Sequence, residues 1–161
     1  MIRLLIADDH EVIRFGLRLL LANEPDISVV GIAADGRTAV SIAVADSPDV
    51  VLMDLSMPVL DGFAATREIT RVAPSVRVLV HTAYSGAPII HEAFAAGAHG
   101  YLLKESSPQT LIDAIRAVHR GEFPMAQGAL AALSPSADGP GEKSVTAPSS
   151  NTCWWTSKAL P

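Results

Sequence analysis

The chain is predicted to be an α/β protein with a doubly wound, five-stranded parallel sheet. Two observations carry this. Short, continuously apolar runs alternate with segments of helical spacing as far as Gly121. Those runs do not alternate apolar with polar residues, as half-exposed antiparallel strands would, so they read as strands covered on both faces. Right-handed crossovers then restrict the connectivity, and the expected strand order is 2-1-3-4-5.

The elements follow in turn. Strands are expected at Ile2 to Ala7, Ile27 to Ala33, Val50 to Met53, Val76 to Val80 and Gly100 to Leu103. Val12, Ile13, Leu17, Leu20 and Leu21 form one helical stripe, and Ala39, Val40, Ala43 and Val44 a second. Leu111, Ile112, Ile115 and Val118 form the stripe of the last helix, with Ser107 as N-cap, Pro108 at the first helical position and Gly121 at the end. Phe63 to Val72 and Ile89 to Ala96 are helices by elimination. Residues 1–121 make one domain. Residues 122–133 read as a linker or an extension of the last helix. Residues 134–161, rich in Ser, Pro, Gly, Ala and Thr, read as a disordered tail.

Composition narrows the function. The chain has 161 residues, of which 49% are hydrophobic and 18% charged, enough for a folded core. The net charge of −5 argues against the basic surface that direct DNA binding needs. The one cysteine, Cys153, excludes an intrachain disulfide and fits a cytoplasmic setting. No apolar stretch approaches a membrane span, so no membrane association is expected. Neither GxGxxG nor GxxxxGK[ST] follows a strand, which weakens a nucleotide-binding reading.

In an open parallel sheet, ligands bind beyond the carboxyl ends of the strands, where the strand order reverses. Strand one ends in Asp8 and Asp9, strand three in Asp54, strand four in His81 and Thr82, and strand five in Lys104. Taken singly, an acidic pair after a strand reads as a cap or turn, and a lone threonine or lysine as surface. Together they form a set. Three carboxylates at one cleft require a cation, and their hard oxygens suit Mg²⁺. Lys104 adds a fixed positive charge and Thr82 a hydroxyl. These are the parts required to transfer a phosphoryl group to one of the carboxylates. His10, His81, His91, His99 and His119 lack metal-ligand spacing and read as structural or surface. A metal-dependent aspartate-nucleophile phosphatase would use Asp-x-Asp, whereas Asp8 and Asp9 are adjacent.

The stretches LLIADDHEVIRFGLRLLL, PDVVLMDLSMPVLDGF, VRVLVHTAYS and GAHGYLLKESSPQTLIDAIRAVHRGE resemble the flavodoxin-like (βα)5 receiver domains of two-component response regulators. Within them they resemble the NarL/FixJ/LuxR-type subfamily, which carries a helix-turn-helix output. The resemblance implies Asp54 as the phosphoacceptor and Asp8, Asp9, Asp54 and the Ser56 backbone carbonyl as Mg²⁺ ligands. It implies Thr82, Tyr101 and Lys104 as the phosphoryl-binding and switching residues. It also implies a sensor histidine kinase as partner, a homodimer through the helix-four to helix-five face or through the first and fifth helices, and no turnover of outside substrates. The output helices of that subfamily are not legible after Gly121. The chain would then be a stand-alone receiver acting by protein contact, or would derive from a DNA-binding regulator by truncation or by a frame shift after about Lys143; the second origin is favoured. Trp154 and Trp155 stand out in a Ser/Pro tail with no core to bury them.

Overall fold

A computed structural model describes residues 1–126 and 152–155 of the chain. Five strands and five helices alternate as β1 (Ile2–Ala7), α1 (Glu11–Leu21), β2 (Ile27–Ala33), α2 (Gly36–Asp46), β3 (Val50–Met53), α3 (Gly62–Val72), β4 (Arg77–Thr82), α4 (Ala87–Ala95), β5 (Gly100–Leu103) and α5 (Pro108–Arg120). These strands are parallel and lie in the order 2-1-3-4-5, as expected.

Side chains of a strand point alternately to its two faces, and β1 shows what each face buries. Leu4 and Ile6 join Leu52, Leu17, Leu21, Leu111, Ile115 and Val118 beneath α1 and α5. Leu5 and Ala7 join Val51, Met53, Ala39, Val40, Ala43, Ala65 and Ile69 beneath α2 and α3. A third cluster sets Val80, Tyr101 and Leu103 against Ile90 and Ala93 of α4. The central strand β3 (VVLM) is buried throughout because both its faces are covered, whereas β1 exposes Arg3 and most of β2 is half-buried.

Helix ends follow local chemistry. Asp35 caps α2 by accepting from the Thr38 amide at 2.8 Å, and Asp61 caps α3 by accepting from Ala64 at the same distance. Ser107 caps α5 through the Thr110 amide at 3.2 Å, and Pro108 follows it. Gly121 ends α5 in the left-handed conformation at φ 88°, which a β-carbon would oppose. Arg116 of α5 donates to Asp26 and Glu24 at 2.7–2.8 Å, tying the last helix to the turn before β2. Its hydrogen bonds hold the Asp26 carboxyl down at about 2.

Two expectations are corrected. The last helix does not extend beyond Arg120. Phe123–Ala126 forms β6, parallel to β5 with Tyr101 opposite Met125. Gly121 turns the chain, and Pro124 lacks the amide a helix would need. Within the tail, Thr152–Trp155 is β7, antiparallel to β6 with Met125 opposite Cys153. The sheet therefore has seven strands, in the order β2-β1-β3-β4-β5-β6-β7. The rest of residues 122–133 and 134–161 lies outside the described residues, apart from Glu122, which precedes β6. Among the described residues no helix is long and apolar enough to cross a membrane.

β4 runs two residues past the expected Val80, so His81 lies within the strand and is buried. Desolvation lowers its pKa to about 4, with the nearby Lys104 charge acting in the same direction. Below about pH 6.5 the unfolded chain takes up a proton that the folded one refuses, so this residue's contribution to stability falls as the pH drops from 6.5 toward 4. Wild-type protein is expected to lose about 2 kcal/mol more than His81→Leu between pH 7 and pH 5 in urea titrations. Equal losses in the two proteins would show that His81 is protonated in the fold.

Candidate functional site

β1, β3 and β5 deliver their next residues, Asp8, Asp54 and Lys104, to one end of the sheet. The Lys104 Nζ lies 2.7 Å from Asp54 Oδ2 and 2.6 Å from Asp8 Oδ2. Both carboxylates are 3% exposed at the side chain, so each depends on protein partners for its charge. The lysine donates a well-aligned hydrogen bond to Asp54. Its contact with Asp8 Oδ2 lacks hydrogen-bond alignment, and that buried oxygen has no hydrogen-bond partner. Partial burial works against the Lys104 charge, but its hydrogen bond to Asp54 and its close pairing with both carboxylates outweigh it and raise its pKa.

Asp8 Oδ1 accepts from the His10 amide at 2.8 Å, and the His10 Nδ1 lies 2.8 Å from Asp9 Oδ1. Asp8, Asp9, His10 and Asp54 each bring a ligand atom within 4.8 Å of the others. One lysine offsets only one of three carboxylates, and Asp8 Oδ2, although 2.6 Å from the lysine, accepts no hydrogen bond. Three of the cluster's four donors are hard carboxylates, which fits a small divalent cation better than a soft one. His10 at the N-cap of α1 was not legible as a member of this cluster. Its only signal was its place directly after Asp8 and Asp9.

The other expected residues divide in two. Thr82 is fully buried at the end of β4; its carbonyl accepts from the Lys104 amide at 2.8 Å, and its Oγ1 lies 3.5 Å from the Tyr84 amide. The hydroxyl thus has only a long contact, while the Thr82 backbone is bonded to that of Lys104. Ser56 is exposed, and its amide lies 3.4 Å from Asp54 Oδ1. Tyr101 stands apart from the acids, fully buried, with its hydroxyl donating to the Tyr84 carbonyl at 2.8 Å. Burial pushes its phenol up to about 12, so it remains a donor.

The loop after β3 is held tightly. The Gly62 amide donates to the Leu55 carbonyl at 2.9 Å, and a β-carbon at Gly62 would collide with the Asp54 carbonyl oxygen. Only glycine lets α3 start so close to Asp54. Val59 at φ 68° turns the same loop. A cavity of about 330 Å³ opens beside it, lined among others by Leu55, Ser56, Met57, Phe63, Tyr84 and Ile89.

Comparison with known proteins agrees with this arrangement. LiaR of Bacillus subtilis, a transcriptional regulatory protein, is 45% identical over 122 residues, covering 76% of this chain and 58% of that protein. The response regulator UvrY of Escherichia coli O157:H7 is 43% identical over 122 residues, covering 76% of this chain and 56% of that protein. The crystal structure of a LuxR-family two-component response regulator from Aurantimonas sp. SI85-9A1 superposes with a TM-score of 0.78 at 34% identity, covering 83% of this chain and 95% of that one. The chain thus spans a little over half the length of these two curated relatives. Residues 4–116 match the response regulator receiver domain, a span that runs from β1 into α5 and takes in every residue of the acidic cluster, and the chain belongs to that family.

Proposed function

We propose that this chain is the phosphoacceptor switch of a two-component system, phosphorylated on Asp54 by a sensor histidine kinase in a Mg²⁺-dependent reaction. The observation that carries this reading is the shared lysine: Lys104 Nζ within 2.7 Å of two buried carboxylates, one of whose oxygens accepts no hydrogen bond. Such a cluster is poised to accept both a cation and an anionic group.

The Asp54 carboxylate is the nucleophile that takes the phosphoryl group from phosphohistidine. Asp8, Asp9, Asp54 and the Ser56 carbonyl would hold Mg²⁺, which when bound would supply charge to offset the phosphoryl oxygens. Lys104 keeps its charge throughout and pairs with one phosphoryl oxygen, exchanging its contact with bare Asp54 for one with the modified residue. The Thr82 hydroxyl, which has little to give up, bonds another. Ser56 and Tyr84 both line the neighbouring cavity and govern how water reaches the acyl phosphate. The chain's own chemistry ends at phosphorylation from small donors and self-dephosphorylation, so it is not an enzyme toward outside substrates.

The readout is a shift of population. The roles that the family resemblance implies for Thr82 and Tyr101 would have Tyr101 fill the space that Thr82 vacates. Tyr101 is already buried here, bonded to the Tyr84 carbonyl. Drawing Thr82 toward a phosphoryl group enlarges that space and stabilises the buried position further. The face of α4, β5 and α5 is then the surface whose partners change, a homodimer among them. Because relatives such as LiaR are named as transcriptional regulatory proteins, we place this receiver as the cytoplasmic input half of a transcription regulator. Direct DNA contact is not assigned to this chain.

Acetyl phosphate with Mg²⁺ is expected to add one phosphoryl group to the wild-type chain and none to Asp54→Asn, as read by intact mass; equal labelling of both would overturn the assignment of Asp54. Lys104→Met leaves two buried carboxylates without their cation. In low Mg²⁺ at pH 7 it is expected to lower stability by about 2–4 kcal/mol, with millimolar Mg²⁺ restoring part of the loss. A Lys104→Met protein as stable as wild type in chelator would show that the carboxylates do not depend on the lysine.

A further inference from the structure

The sheet does not stop at β5. β6 is seated closely on it: a β-carbon at Gly100 would lie 3.0 Å from both the Cγ and the carbonyl oxygen of Pro124. The Phe123 ring stacks on His99, the residue before β5, with centroids 6.1 Å apart and planes 16° from parallel. His99 in turn accepts from the Val78 amide of β4 at 3.2 Å through Nδ1. β6 is thereby fixed to the receiver by packing as well as by its ladder, and it presents a further edge. An exposed edge of backbone donors and acceptors templates another strand. Thr152–Trp155 occupies it, antiparallel, over four residue pairs from Phe123↔Trp155 to Ala126↔Thr152.

This edge is joined to the acidic cluster by a short series of contacts. The Lys104 amide donates to the Thr82 carbonyl, and the Tyr84 amide reaches Thr82 Oγ1. Tyr84 holds Tyr101 through its carbonyl, and Tyr101 is the β5 residue opposite Met125 of β6. Met125 is in turn opposite Cys153 of β7. The state that carries the docked strand is thus the state with Tyr101 buried.

We propose that Thr152–Trp155 is a strap of this chain that docks on the β6 edge, and that occupation of the Asp54 site by a phosphoryl group tightens it. The coupling rests on the phosphoacceptor reading given above; the docking itself does not. Thermodynamic reciprocity then requires that the docked strap favour the phosphorylated site by the same factor. The strap covers the sheet edge next to the switching face, and phosphorylation closes that edge to any other extended segment.

The test uses the full chain with Mg²⁺ and beryllofluoride, a mimic of the acyl phosphate. Fluorine NMR shows directly whether beryllofluoride occupies the site, and amide exchange reports on residues 152–155. The only two tryptophans, Trp154 and Trp155, make fluorescence emission a second reporter of the same strand. Without beryllofluoride, exchange in 152–155 is expected to be slower than in an unstructured peptide. With it, exchange is expected to slow about fivefold or more, with a change in emission. Cys153→Pro, which removes a backbone donor from the strap, is expected to weaken beryllofluoride binding by the same factor while the receiver still melts cooperatively. The wild-type exchange measurement decides the docking even if that variant fails to fold. Exchange at unstructured rates in both states overturns the strap. Bound beryllofluoride with unchanged exchange overturns the coupling alone. Absence of a bound fluorine signal overturns the phosphoacceptor reading and the coupling with it, leaving protected amides as support for the docking only.

Discussion

A single ammonium group shared by two buried carboxylates organises this molecule. Lys104 reaches Asp54 and Asp8 from the far side of β4, so its contacts span the ends of β1, β3 and β5. Burying a carboxylate without a partner is costly, and burying two side by side is worse. The sheet tolerates Asp8 and Asp54 at 3% exposure because the lysine is held there too, by the hydrogen bond its backbone amide donates to the Thr82 carbonyl. The pairing remains incomplete. Asp9 adds a third negative charge, and one oxygen of Asp8 has no hydrogen bond. A bound cation would offset this deficit of positive charge.

The same lysine connects the site to the far edge of the sheet. Its backbone bond to Thr82 places the β4–α4 loop next to the cluster, and that loop holds Tyr101 by the Tyr84 carbonyl. Tyr101 carries a donor that stays protonated across the accessible pH range, since its burial pushes it up to about 12. A fully buried aromatic residue with one directional bond has few positions available, which suits a two-state element. β6, packed on Gly100 and stacked on His99, extends that element to the sheet edge.

Much of this was legible in the chain. The apolar runs from Ile2 and from Val50 could only be doubly covered strands, and the Ser107-Pro108 start and Gly121 end bounded α5 because capping chemistry is local. Asp8, Asp9, Asp54, Thr82 and Lys104 were legible as a group because a parallel sheet sends the ends of its strands to one side. His10 was not, since histidine pairing with a carboxylate depends on where a helix begins in space. β6 and β7 were missed for a related reason. Phe123–Ala126 has a proline and no alternation, and the four residues from Thr152 become a strand only against a partner remote in sequence.

The order of residue types along the chain therefore determined the layered fold, the end of the sheet that holds the chemistry, and the residues gathered there. Periodicity, capping and strand direction are properties of short segments. Tertiary structure alone decided that one lysine serves two acids and that one Asp8 oxygen is left without a hydrogen bond. It also decided that Tyr101 rests in its buried position and that the sheet continues to a seventh strand. These depend on how closely distant segments approach, 2.6–2.8 Å at these contacts, and on edges that exist only once the sheet has formed.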